Sequence, residues 1–209
     1  AGIDINLLVE AFDLNEDLRT NAEERIEIME ITKKFQDAFT TVAKTKKPTI
    51  AAIQGFSIGG ATNLVASCDI RLSTKDAKFS IGESKLGLVA DVGALQRMPK
   101  IISKGLLREL AYTGKTFGAE YAKEIGLIND YYPKSQLNEE VLTLARKIAS
   151  KSNLTIKIGK KAFYKQLEMP LRKAYAYTSR MMTLNMMSID AHEGISAFLN
   201  KRKPKWKNK

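Results

Sequence analysis

The sequence of 209 residues predicts an α/β fold that ends in a helical module. Three observations carry that expectation. Short uncharged stretches rich in Ile, Val and Ala alternate with stretches of helical period as far as residue 132. From residue 138 onward the period is helical almost to the end. A glycine-bearing turn, 55–60, follows the first strand-like stretch and precedes a short apolar segment, as in a strand–turn–helix unit. Repeated units of this kind join parallel strands by right-handed crossovers. The expected organisation is an α/β core over 1–137 and a helical C-terminal module over 138–209.

The elements follow in order. The chain opens on Ala1-Gly2-Ile3-Asp4 with no initiator methionine, so it reads as a piece whose earlier residues are absent. Residues 5–14 form a short amphipathic stretch and 16–21 a polar loop. A long helix is expected over 23–44, where Ile26, Met29, Phe35, Phe39 and Val42 recur at near-helical spacing and Pro48 stands just past the end. Residues 49–53 carry no charge and read as a buried strand. A short helix over 61–67 and strands over 69–73 and 78–81 follow. One or two helical turns suit 92–97, and Pro99 restarts helix at a first-turn position. Helices over 101–112 and 119–125 precede a strand over 127–132, with Gly126 as the stop. Three helices are expected over 139–150, 154–167 and 171–187. A last one starts near Asp190, is capped by Ser188 and ends near Pro204.

Composition is that of a globular protein, 44% apolar and 27% charged. No apolar run is long enough to span a bilayer, and no signal peptide opens the chain. One cysteine, Cys68, allows no intramolecular disulfide, which points to an intracellular protein. The net charge of +11 suits an anionic partner without choosing among nucleic acid, membrane surface and phosphate-bearing ligand. Part of it is a tail, 201–209, where six of nine residues are Lys or Arg. A solvated, frayed terminus and an anion-binding segment are equally good readings of that tail.

The candidate chemistry lies in 47–97. The turn 55–60 presents backbone N–H groups at the start of a helix, a layout that binds phosphate or an oxyanion, or serves structure alone. It matches neither the P-loop nor the GxGxxG fingerprint. Glu83, between Gly82 and Ser84, would ordinarily be solvated. Asp91 lies in the apolar run 87–93, so it must be paired, cap the helix beginning near Val92, or serve proton transfer. His192 is the only histidine and suits a surface or interface position. With one His and one Cys, a His/Cys zinc site is not expected, and without GxSxG neither is a serine triad. Cys68 reads as a small core residue. Met181, Met182, Met186 and Met187 make an apolar stripe suited to core or subunit contact.

Together these residues resemble the crotonase superfamily, the enoyl-CoA hydratase/isomerase fold. The resemblance is carried by KPTIAAIQGFSIGGATNLVASCDIRLSTKDAKF, by GLVADVGALQRMPKIIS and by the closing SIDAHEGISAFLNKRKPKW. It implies a ββα spiral core with a helical C-terminal trimerisation module. It also implies that about 50–70 earlier residues, including the first strands, belong to the fold. The implied substrate is a fatty-acyl thioester of coenzyme A. Its carbonyl would sit between two backbone N–H groups, near Ile3 and at Gly60, in an oxyanion hole. No metal or redox cofactor is implied. Hydratases of the family resemble one another in using two glutamates. Glu83 falls on the second position and Asn63 on the first, where an amide cannot act as a base.

The segment with Glu83, Asp91 and Arg97 is instead most similar to the subgroup that converts 3,5-dienoyl-CoA to 2,4-dienoyl-CoA in fatty-acid β-oxidation. There one acid serves C2 and another C6, which implies Glu83 at C2 and Asp91 at C6. The subgroup has an aspartate where this chain has Asn63. Gly2, Asp4 and Asn63 are implied substrate contacts, and Lys201 is the candidate for a coenzyme A phosphate. The implied assembly is a homotrimer or a dimer of trimers; nucleic acid is not expected as a partner. The alternatives are a hydratase or 3-to-2 enoyl-CoA isomerase using Glu83 alone, and a non-catalytic or RNA-binding protein on the same fold, motivated by the charge. Mitochondrial matrix, peroxisome and bacterial cytoplasm all fit.

Overall fold

Residues 2, 4–6, 9 and 22–209 are described in the computed structural model, Glu24 by its backbone alone. Ile3, most of the predicted stretch 5–14 and the loop 16–21 lie outside the described residues. The chain divides into two units, residues 1–44 with 49–141, and residues 45–48 with 142–209.

In the first unit the long helix α1 (Ala22–Lys44) precedes β1 (Ile50–Ile53), β2 (Phe56–Ile58) and a short helix α2 (Gly60–Ala66). The pattern then recurs as β3 (Ile70–Thr74), β4 (Lys78–Ser80) and a 3-10 turn over Glu83–Leu86. From β1 to β4, consecutive strands go to different sheets. One sheet has the order β1–β3–β6, with both pairings parallel and β6 at Asp130–Tyr132. The other has the order β2–β4–β5, with β2 parallel and the short β5 (Phe117–Gly118) antiparallel to β4. A parallel pair needs a crossover, and each one here passes through the other sheet and a helix. This is the ββα spiral. Between the strands lie α3 (Ala94–Arg97), α4 (Lys104–Thr113) and α5 (Ala119–Glu124).

The core explains the order. Phe79, Ile81, Met98, Leu110 and Leu127 are fully or almost fully buried and belong to one apolar cluster. Central strand β3 buries all but its first residue, so its polar groups must be satisfied inside. Arg71 donates from Nε to the Leu127 carbonyl at 2.6 Å and from Nη1 to Cys68 at 2.7 Å, which ties β3 to the approach of β6.

Several expectations shift. The turn 55–60 contains β2, three residues long and without room for a period. The helix expected from 101 begins at Lys104, because Ser103 accepts from Leu106 N and sets the cap there. Ile26 and Met29 on α1 are exposed, while Phe35, Phe39 and Val42 are half-buried, so only the C-terminal half of that helix packs. Cys68 is half-buried and not a core residue.

The second unit is helical. It holds most of α6 (Leu137–Ala149), then α7 (Asn153–Gln166), α8 (Leu171–Met186) and α9 (Ile189–Leu199). Ser188 caps α9 as expected, accepting from Ala191 N. That helix stops at Leu199, and the basic tail beyond it is neither helical nor frayed. Buried Asp190 accepts from Lys207 N at 2.6 Å and from Asn208 N at 3.0 Å, and from the Ser152 hydroxyl. Glu193 accepts both Nη groups of Arg202 and Lys205 N. Trp206 lies against Gly194 and donates to the Ser150 carbonyl at 2.8 Å. The tail is a strap.

Burial would raise the pKa of Asp190, but its hydroxyl and backbone donors outweigh that and hold it below the ordinary value. Glu193 is lowered from 4.5 to about 2, chiefly by the Arg202 hydrogen bonds and then by Lys205 N–H. A depressed carboxyl stabilises fully above its unfolded pKa and loses that contribution as pH falls through the folded one. Trp206, the only tryptophan, reports the strap. Its emission is expected to hold from pH 7 to 4.5 and to red-shift between there and about 2. Glu193→Gln, which cannot ionise, should show the red-shifted emission already at pH 7 and lose this transition. An unchanged titration in the variant would remove Glu193 as the latch.

Candidate active site

The site grows from the turn between β2 and α2. Gly59 has φ 53° and ψ −118°, a backbone conformation open to glycine and strained for other residues. Its N–H bonds the Ser80 carbonyl at 3.0 Å. The buried Thr62 hydroxyl donates to the Ser57 carbonyl at 2.5 Å and also lies 3.0 Å from that of Ser80. These bonds fasten the turn to the end of β4, three residues before Glu83. Gly60 is the first residue of α2, so its N–H has no acceptor within the helix. Gly2 packs beside the same turn, since a Cβ there would stand 2.8 Å from the Ile58 carbonyl oxygen.

Glu83 opens the 3-10 turn and points back at Gly59. A Cβ on Gly59 would lie 3.5 Å from its carboxyl carbon. Fully buried Asn63 donates from Nδ2 to Glu83 Oε1 at 3.0 Å. Among the described residues, the buried Glu83 Oε2 and Asn63 Oδ1 have no hydrogen-bond partner. A buried acceptor without a donor is costly, so Oε2 is an oxygen suited to meet a ligand. Glu83 is therefore not the solvated surface carboxylate that its flanking sequence suggests.

Asp91 sits on the next loop and is half-buried. It does not cap α3: the N-cap is Gly93, with no side-chain bond, at φ 141°. A Cβ on Gly93 would stand 3.6 Å from Asn63 Cβ and 3.6 Å from Arg97 Nε. Asn63 thus bonds Glu83 and has its Cβ near Gly93, two residues after Asp91. Gln36 on α1 donates from Nε2 to the Asp91 carbonyl at 3.3 Å and to Asp91 Oδ2 at 3.4 Å. One turn further along α1, Thr40 accepts from Arg97 Nη2 at 3.0 Å.

Of the residues singled out from sequence, Glu83, Asn63, Gly60, Gly2 and Asp91 belong to this connected region. Asp4 is exposed and accepts from Asn6 N at 2.9 Å, a local turn contact. Lys201 is exposed at the end of α9 in the second unit, with a left-handed φ of 48°. Ile3 lies outside the described residues. Gln36, Thr40 and Gly59 were not anticipated. The signal for the first two was a polar i, i+4 pair flanked by Phe35 and Phe39. Among the described residues no group of three or more His, Cys, Asp or Glu is gathered for a metal. No described helix is long and apolar enough to cross a membrane.

Fold and site define a class, and comparison with known proteins gives it a name. Residues 9–209 match the profile of the Enoyl-CoA hydratase/isomerase family, and the chain belongs to that family, the crotonases. It is 34% identical over 99% of its length to a peroxisomal Delta(3,5)-Delta(2,4)-dienoyl-CoA isomerase of Arabidopsis thaliana, of which it spans 74%. It is 33% identical over 80% of its length to a crotonyl-CoA hydratase of Syntrophomonas wolfei, of which it spans 65%. The crystal structure of an enoyl-CoA hydratase from Mycobacterium smegmatis superposes with a TM-score of 0.84 at 30% identity, covering 93% of this chain and 74% of that one. The fold is the crotonase α/β fold, and the protein is an enzyme of the family acting on coenzyme A thioesters.

Proposed function

We propose that the protein converts 3,5-dienoyl-CoA to 2,4-dienoyl-CoA. The observation that carries the reading is Asn63, which bonds Glu83 and packs against the loop of Asp91. By the family resemblance Asn63 stands where a hydratase has its first glutamate, which leaves Glu83 as the one carboxylate of that pair for water chemistry. The second carboxylate, Asp91, lies two residues before Gly93, where an added Cβ would stand 3.6 Å from Asn63 Cβ.

In the proposed reaction, Glu83 Oε2 takes a proton from C2. The C2–H electron pair enters the conjugated system and the thioester oxygen becomes an enolate. The Gly60 N–H, with a second donor from the segment holding Gly2 and Ile3, stabilises that oxygen as its charge grows. The carbonyl re-forms as C6 takes a proton from Asp91, and the two double bonds end at C2 and C4. Solvent then returns a proton to Asp91 and removes one from Glu83. No electrons are gained or lost overall, so the step calls for no redox group.

The test is spectroscopic. Purified protein with 3,5-octadienoyl-CoA should show the rise in ultraviolet absorbance of the conjugated 2,4-isomer, with little addition of water to crotonyl-CoA. Fast crotonyl-CoA hydration with no dienoyl conversion would favour the second reading, to which the similarity to crotonyl-CoA hydratase lends support. Exposed Met182, Met187, Leu171, Tyr175 and Phe198 in the second unit support self-association, for which we propose a trimer or dimer of trimers. The name of the Arabidopsis relative supports an intracellular setting.

A further inference from the structure

The two proposed proton carriers share a feature that the mechanism above leaves unused. Each has one carboxylate oxygen held by a side-chain amide. Asn63 Nδ2 holds Glu83 Oε1 at 3.0 Å, and Gln36 Nε2 holds Asp91 Oδ2 at 3.4 Å. An amide N–H donates and cannot accept, so the oxygen it faces is kept as an acceptor. A proton on the Asp91 carboxyl then sits on Oδ1.

Gln36 also reaches the Asp91 carbonyl at 3.3 Å, so it grips main chain and side chain of one residue. Its neighbour one turn on, Thr40, grips Arg97 at the other end of the same segment. Between these points lies Gly93, whose φ of 141° suits glycine and where an added Cβ would stand 3.6 Å from Asn63 Cβ. Gln36 and Thr40, one turn apart on α1, thus hold the segment 91–97 at both ends.

We infer that Gln36 is a positioning residue for Asp91: it selects Oδ1 as the oxygen that carries the proton and fixes the direction in which it is delivered. This rests on the dienoyl-CoA isomerase reading. Gln36 touches no reacting atom in this account, and its effect is confined to the second half of the reaction.

That confinement makes the inference testable. Exchange of C2 hydrogens with deuterium oxide reports Glu83, while appearance of the 2,4-diene reports both acids. Gln36→Met keeps the length and helix propensity but removes the donor. Its kcat for isomerisation should fall about 10–100-fold, the cost of a misdirected group, with KM and the C2 exchange rate unchanged. Gln36→Glu places an acceptor against Asp91 and should lose more isomerisation, again with exchange unchanged. Wild-type isomerisation in Gln36→Met overturns the inference. So does a parallel loss of exchange and isomerisation, or a collapse of the fold by circular dichroism, because each marks a merely structural residue. A wild-type protein that neither exchanges nor isomerises defeats the functional reading, and this inference with it. A wild type that does both, beside indifferent Gln36 variants, defeats this inference alone.

Discussion

Glu83→Gln is expected to abolish C2 exchange and isomerisation together, each by about 10²–10⁴-fold, the range for removing a general base. The substitution is close to isosteric. The new amide oxygen can still accept from Asn63 Nδ2, in the place where Glu83 Oε1 does so at 3.0 Å. The contact with Gly59 is likewise kept. What is lost is the ability to take a proton at the buried, unpartnered Oε2. Thermal unfolding should therefore change little while both kinetic signals vanish. Substrate exchange that continues at the wild-type rate in Glu83→Gln would remove Glu83 from the base role.

The strength of that expectation comes from details a sequence shows unevenly. The strand–turn–helix unit at 49–67 was legible because an uncharged β-branched run meets a cluster of glycines. The helices α6 to α9 were legible because their period persists over more than ten residues each. β2 and β5, three and two residues long, have no period to read, and they exist because β4 offers them partners. Glu83 and Asp91 could be nominated as unusual carboxylates, yet neither environment was visible. Glu83 Oε2 is buried beside Gly59, whose conformation suits glycine. The pairing of Asp91 depends on Gln36, 55 residues away on a helix whose sequence pattern is set by its apolar residues. The strap at the C-terminus has the same origin. Asp190 and Glu193 find their backbone donors 12 to 18 residues further along the chain, beyond the reach of any local pattern.

Asp91→Asn is expected to separate the halves of the reaction that Glu83→Gln removes together. Isomerisation should fall by about 10²–10⁴-fold, because an amide cannot deliver a proton to C6. Exchange at C2 should persist near the wild-type rate, since Glu83, Asn63 and Gly60 are untouched. The Asn oxygen can still accept from Gln36, and α3 keeps its glycine cap, so the loop has no reason to move. An enolate formed at C2 and unable to be protonated at C6 can only return, and deuterium would enter recovered substrate faster than product appears. The ratio of exchange to isomerisation is thus the decisive quantity. It should rise steeply in Asp91→Asn, rise moderately in Gln36→Met and stay undefined in Glu83→Gln, where both terms vanish. A hydratase or 3-to-2 isomerase working through Glu83 alone would be indifferent to Asp91. Full dienoyl conversion by Asp91→Asn would exclude Asp91 as the C6 acid, and equal loss of both rates would place it in binding or folding instead.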